Sequence, residues 1–184
     1  MNKRQASEKD VDKILLTEKQ IHQRVLELGQ QIAADYVGKD LMMISVLKGS
    51  ILFVADLMRA IEAPLSIEFM AVSSYGADTA TSGVVKIVKD IDVSIKDKHV
   101  LIVEDILDSG MTLSYLTELL AQRGTASIKV VTLLDKPARR KVDIKPDYVG
   151  FEVPDEFLIG YGLDYIEYYR NLPYIGVLKR EVYE

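Results

Sequence analysis

Hydrophobic positions change period several times along the chain, and each change marks an element. Ile21, Val25, Leu28 and Ile32 recur at three- and four-residue intervals, which aligns them on one helical face. Thr17-Glu18-Lys19-Gln20 just ahead has the form of a capping box, and Gly38 stops the pattern. A helix packed on a sheet is expected there. Residues 41–46 (LMMISV) form a short apolar run that reads as a strand, and Leu47-Lys48-Gly49-Ser50 turns it into a second helical pattern carried by Ile51, Leu52, Val54, Ala55, Leu57 and Met58.

Residues 66–72 (SIEFMAV) and 84–88 (VVKIV) read as strands, separated by SSYGADTATSG, a small, polar run with no means of burying itself. A mobile loop is expected at that run. Residues 100–103 (VLIV) open another strand, followed by a helix with Leu113, Leu116, Leu119 and Leu120 on one face, Gly124 at its end, and a strand over 128–134. Two successive strand–helix units predict a parallel sheet with helices on both faces. Residues 147–153 and 174–178 look like further strands. No repeat, low-complexity tract or Pro-rich linker divides the chain, so one domain with a small appended lobe is expected.

Composition narrows the function classes. The chain has 184 residues, 48% of them apolar, enough for one sizeable core. With 23 Lys plus Arg against 28 Asp plus Glu, the net charge of -5 provides no global attraction for nucleic acid, so any bound anion must be held by local geometry. The absence of cysteine excludes disulfides, thiolate catalysis and thiolate metal sites, and two histidines make a poly-His metal site improbable. The N-terminal residues lack the apolar run of a secretory signal, and no stretch approaches the ~18 apolar residues of a membrane span, so a cytoplasmic protein without membrane contact is expected.

The densest chemistry is in VLIVEDILDSGMTL, residues 100–113. Asp108-Ser109-Gly110-Met111-Thr112 stands immediately before a helix. Glycine permits positive φ, backbone N–H groups can converge, and a helix N-terminus carries about half a positive charge, so a phosphate fits without a basic side chain. The pattern is neither a Walker A loop nor GxGxxG, which disfavours nucleoside triphosphate and dinucleotide sites. Glu104 and Asp105 beside a phosphate would repel it unless they serve a partner that wants acceptors, such as a ribose diol or a divalent cation. Together these features describe a site for a ribose 5-phosphate with a metal nearby.

Residues 103–112, VEDILDSGMT, closely resemble the phosphoribosyl-pyrophosphate signature of the type I phosphoribosyltransferases, in the form of the hypoxanthine-guanine branch. The resemblance extends over nearly the whole chain. It implies an α/β fold with a mainly parallel twisted sheet flanked by helices, a core over about residues 17–150, and a hood formed by the N-terminal segment and about residues 151–184. It further implies that Glu104 and Asp105 bind the ribose hydroxyls, that Asp108 acts as general base near purine N7, and that Asp108, Ser109, Gly110, Met111 and Thr112 wrap the 5'-phosphate. Met111 departs from relatives that carry Lys there, which shifts phosphate binding toward main-chain donors.

Four other motifs are similar to parts of that family. Lys48-Gly49 resembles its pyrophosphate loop, where the Leu47–Lys48 peptide can be cis. Ser73-Ser74-Tyr75-Gly76 resembles a flexible lid, implying that Ser74 and Tyr75 touch pyrophosphate and that closure excludes water from an oxocarbenium-like state. Lys136 matches a lysine that donates to purine O6, which favours a 6-oxopurine. VPDEFLIGYGLDY, residues 153–165, resembles the purine and metal segment, with Phe157 stacking on the base, the Leu158 main chain reading its edge and Asp164 holding Mg2+ together with Glu104 and Asp105; Arg170 matches a pyrophosphate-side arginine.

The implied activity is Mg2+-dependent conversion of hypoxanthine or guanine and phosphoribosyl pyrophosphate to the nucleotide and pyrophosphate. Tyr161, Tyr165, Tyr168 and Tyr169 suggest packing or a homo-oligomer, dimer or tetramer. The alternative is an RNA-binding regulator on the same fold, using Arg139-Arg140-Lys141 as part of a basic face; the acidic balance and the purine set Lys136 and Phe157 count against it, and a solvated turn is the expected role of that basic run.

Overall fold

The computed structural model describes residues 8–74 and 85–184. After a short 3-10 turn come strand β1 (Val11–Leu16), helix α1 (Glu18–Asp35), β2 (Leu41–Leu47), α2 (Ile51–Ala60), β3 (Leu65–Ser74), β4 (Val85–Lys89), β5 (His99–Leu107), α3 (Met111–Ala121), β6 (Ser127–Asp135), β7 (Tyr148–Glu152), β8 (Leu158–Ile159), β9 (Ile175–Leu178) and the final turn α4 (Arg180–Tyr183). Six strands form one sheet in the order β4-β3-β2-β5-β6-β7, and β1, β9 and β8 form a second. All pairings in the large sheet are parallel except β3 with β4. This is the mainly parallel α/β architecture expected of a type I phosphoribosyltransferase.

Alternation along the central strands produces two cores. Met43, Leu101, Val103 and Val131 point to the face covered by α1 and α2, while Met42, Ile44, Val100, Ile102 and Val130 meet α3 on the other. Both sets are buried because parallel sheets need cover on both faces. The capping box at α1 is complete: Gln20 N–H donates to Thr17 Oγ1 at 3.3 Å, and Thr17 N–H donates to Gln20 Oε1 at 2.9 Å. Ile21, Val25, Leu28 and Ile32 are all buried.

Several expectations need correction. The buried stripe of α2 is Phe53, Val54 and Leu57, whereas Ile51 and Met58 face outward, because α2 aligns 50, 53, 54, 57 and 61 on the sheet. Strand β5 runs to Leu107, so Glu104 and Asp105 lie within the strand rather than in a loop after it. The N-terminal segment, expected in the hood but without an element of its own, contributes β1, which pairs antiparallel with β9 and takes its order from that partner. Among the described residues no helix is long and apolar enough to cross a membrane.

Candidate active site

Segments that follow the C-terminal ends of β2, β5 and β6 meet beneath the β8–β9 sheet. Chain direction around the sheet reverses at β2, with β3 on one side and β5 on the other, and ligands in open α/β sheets bind in the crevice such a reversal leaves.

The segment after β5 forms the anion cradle. Gly110 takes φ 83° and caps α3, and a Cβ there would lie 2.6 Å from Ile144 Cγ2, so the turn is closed to other residues on two counts. The first helical bond runs from Ser114 N–H to Gly110 O at 2.9 Å, which leaves the N–H groups of Met111, Thr112 and Leu113 without helical partners. Among the described residues Met111 N–H has only a long contact, 3.4 Å, to Ser109 Oγ. These donors and the helix dipole suit a phosphate.

Arg140 departs from the solvated-turn expectation. It donates to the main-chain oxygen of Asp108 at 3.1 Å and pairs with Asp135, both side chains being largely buried. Lys141 N–H donates to Ser109 O at 2.9 Å. Arg140 and Lys141 therefore buttress the turn over residues 108–112. Arg139 is paired as well, with Asp155 at 2.6 Å. Sequence reasoning missed Arg140 because its carboxylate partner and its carbonyl partner lie on different segments.

Glu104 and Asp105 form a strained electrostatic pair. Burial raises the Glu104 carboxyl well above the usual carboxylate range, and the Asp105 charge adds to the rise. Burial likewise raises Asp105 to about 6, opposed by the backbone N–H groups of Ile106 and Asp105 and by the Arg170 charge, while Asp164 pushes it further up. Hydroxyl donors or a divalent cation would relieve both groups. No group of three His, Asp or Glu side chains converges as a protein metal cage among the described residues. An ion such as Mg2+ needs only one or two carboxylates when substrate phosphates and water complete its octahedron.

Beyond β2, the Leu47–Lys48 peptide is cis. Ser50 Oγ lies 2.7 Å from Ser45 Oγ and donates to Val46 O at 2.5 Å, so a buried hydroxyl pair pins the loop that presents Lys48 and Gly49. Lys48 pairs with Glu167 at 2.9 Å. Arg170 reaches the same Glu167 oxygen at 3.5 Å, pairs with Asp164 at 2.8 Å and donates to Gly162 O at 2.7 Å, while its Nε is buried without a partner among the described residues. Tyr161, Ile166, Glu167 and Tyr169 all have positive φ, a conformation that costs energy outside glycine and clusters at functional segments. Glu167 was not singled out from sequence, since a lone exposed glutamate carries no pattern. Ser74 ends β3, its side chain is not described, and Tyr75 lies outside the described residues.

A cavity of about 1030 Å³ adjoins these groups, lined by Ile106, Asp108, Lys136, Phe157, Leu158 and Asp164 among others. Asp108 Oδ1 is buried with no hydrogen-bond partner among the described residues. The Lys136 side chain is buried, donates to Glu156 O at 2.9 Å and has the Asp155 carboxylate 4.0 Å from its amine. Burial lowers its pKa, and the Asp108 charge works the other way. Leu158 is buried in β8, and Phe157 O accepts from Leu178 N–H at 2.8 Å, which ties Phe157 to β9. The four tyrosines divide: Tyr161 donates to Asp56 and Tyr169 to Asp10, Tyr165 packs edge-on to Phe157, and Tyr168 is exposed.

A model of the phosphoribosyl transferase domain matches residues 12–166. The chain is 57% identical over 175 residues to the hypoxanthine-guanine phosphoribosyltransferase of Bacillus subtilis (strain 168), covering 95% of this chain and 97% of that protein. The hypoxanthine-guanine phosphoribosyltransferase of Staphylococcus aureus (strain Mu50) is 55% identical over 174 residues, again with 95% and 97% covered. A crystal structure of a hypoxanthine phosphoribosyltransferase from Staphylococcus aureus matches with a TM-score of 0.93 at 55% identity, covering 96% of each chain. With its parallel sheet, its anion cradle after β5 and its paired acids in place, the chain belongs to the phosphoribosyltransferase family.

Proposed function

We propose that this chain is a purine salvage enzyme that transfers a 5-phosphoribosyl group from phosphoribosyl pyrophosphate to N9 of hypoxanthine or guanine. The observation that carries this reading is the buried Asp108 oxygen, which has no hydrogen-bond partner among the described residues, on a residue that lines one cavity with Lys136 and Phe157. The C1–O bond to pyrophosphate breaks, the C1–N9 bond forms, and the N7 proton passes to Asp108 as general base.

The main chain of residues 108–112 and the Ser109 and Thr112 hydroxyls hold the 5'-phosphate. Glu104 and Asp105 accept from the ribose hydroxyls. Lys48, Gly49 and Arg170 hold pyrophosphate, joined by Ser74 and Tyr75. Mg2+, when bound through Glu104, Asp105 or Asp164, supplies charge neutralisation for the leaving group. Phe157 stacks on the base, the Leu158 main chain reads its edge, and Lys136 donates to O6. Adenine would present N6–H donors there, leaving two unpaired donors at a cost of about 1–3 kcal/mol each, so 6-oxopurines are selected. The three-stranded sheet serves as a hood on a single domain, the exposed Ile166 and Tyr168 suit a homo-oligomer, and the enzyme works in the cytoplasm.

The test is to incubate the protein with Mg2+, phosphoribosyl pyrophosphate and each purine base separately, and to measure nucleotide. Product is expected with hypoxanthine, guanine or both and not with adenine. Inactivity with every 6-oxopurine sinks the reading.

A further inference from the structure

The Phe157 ring does not stand alone. Tyr183, the last residue of α4, stacks on it with ring centroids 4.9 Å apart and planes inclined by 26°, and Tyr165 meets it edge-on at 5.5 Å and 90°. Tyr183 also lines the cavity that holds Asp108 and Lys136. We propose that Tyr183 is a positioning residue for purine binding, its ring backing Phe157 and holding it at the angle a stacked base requires. This rests on the reading above that Phe157 stacks on the base.

The tail is anchored well enough to do so. Leu178 N–H donates to Phe157 O at 2.8 Å, and the next residue, Lys179, donates through its N–H to Asp10 O at 2.9 Å. Val182 and Tyr183 then pack against the cluster of Ile159, Tyr169, Leu172 and Leu178. The tail thus connects the N-terminal segment, β9 and the Phe157 ring. A phenylalanine ring has two faces; with Tyr183 on one, the base stacks on the other. A ring held in place before the base arrives loses little rotamer freedom on binding, so the contribution falls on base affinity and not on the chemical step. Stacking between aromatic rings needs no hydroxyl, and the Tyr183 hydroxyl makes no hydrogen bond among the described residues.

Steady-state kinetics with hypoxanthine varied at saturating phosphoribosyl pyrophosphate test this on Tyr183→Ala, Tyr183→Phe and Phe157→Ala. Tyr183→Ala is expected to raise KM for the base roughly three- to tenfold, with kcat and KM for phosphoribosyl pyrophosphate unchanged, and Tyr183→Phe to restore the native KM. An impaired Phe157→Ala beside a Tyr183→Ala of native base KM overturns the proposal alone. A lowered base KM in Tyr183→Ala also overturns it, because Tyr183 would then cover the face the base uses. A native base KM in Phe157→Ala removes Phe157 from the purine site and takes the proposal with it.

Discussion

Gly49 lies so close to Asp105 that a Cβ on it would overlap the carboxylate oxygen Oδ2. The loop after β2 therefore packs against the acid pair in β5, and a side chain at position 49 would press on both the proposed pyrophosphate and ribose subsites. Gly49→Ala must displace one of them. An expected fall in kcat/KM for phosphoribosyl pyrophosphate of roughly 10- to 100-fold follows from misplacing reacting groups by about an ångström. Native efficiency in that variant, measured by initial rates, would show that the contact is not needed.

Asp108→Asn keeps the shape of the side chain and removes its capacity to take a proton. Turnover should drop by about 10²- to 10⁴-fold while affinity for phosphoribosyl pyrophosphate, measured by calorimetry, stays native, since the proposed phosphate site uses main-chain donors and the Ser109 and Thr112 hydroxyls, not the Asp108 carboxylate. Undiminished turnover would take Asp108 out of the mechanism.

Glu104 and Asp105 predict a stability cost at neutral pH. Both folded-state pKa values are raised above their ordinary values, so the folded protein binds more protons than the unfolded one between the two values. For Asp105 the cost is fully present above about 6 and is relieved as pH falls from there toward 3.8. Asp105→Asn should therefore raise Tm in Mg2+-free buffer at pH 7.5, by several degrees for a gain of about 1–2 kcal/mol, and the gain should shrink by pH 5. Activity should fall in the same variant. A Tm advantage that grows on acidification contradicts the sign.

Glu167 places one carboxylate oxygen between Lys48 and Arg170, the two cations assigned to pyrophosphate. On the proposed roles of those cations it competes with the leaving group for them. Because Lys48 and Glu167 are both more than half exposed, the competition is modest, and Glu167→Gln should tighten pyrophosphate binding by roughly two- to fivefold at low salt, less at high salt. Product inhibition constants measure this directly; unchanged or weaker inhibition removes Glu167 from that role.

Arg140 and Asp135 make a largely buried pair. Arg140→Met strands the Asp135 charge and loosens the Asp108 main chain, which should cost about 3–5 kcal/mol in stability. Arg140→Met combined with Asp135→Leu should recover most of that stability yet leave turnover low, because the hydrogen bond to Asp108 stays lost. Denaturant titration and kcat of the two variants separate these effects.

Elements and chemistry that depend on near neighbours are legible in the amino-acid order alone. The capping box at Thr17, the apolar run of β2, the leucine face of α3 and the contiguous acid–Ser–Gly–Thr string after β5 depend on neighbours within a few residues, so period and spacing reveal them. Features that need a distant partner emerge only in the folded chain. Strand β1 exists because β9 pairs with it, and two of its polar-looking residues, Asp12 and Lys13, sit on a strand for that reason. Extension of β5 through Glu104 and Asp105 follows from its ladder with β6, which continues to the pairing of Leu107 with Asp135. Arg140, Glu167 and Tyr183 gained their places only when segments separated along the chain were folded together, since a salt bridge or a stacked ring is a property of two residues and leaves no period in either one's neighbourhood.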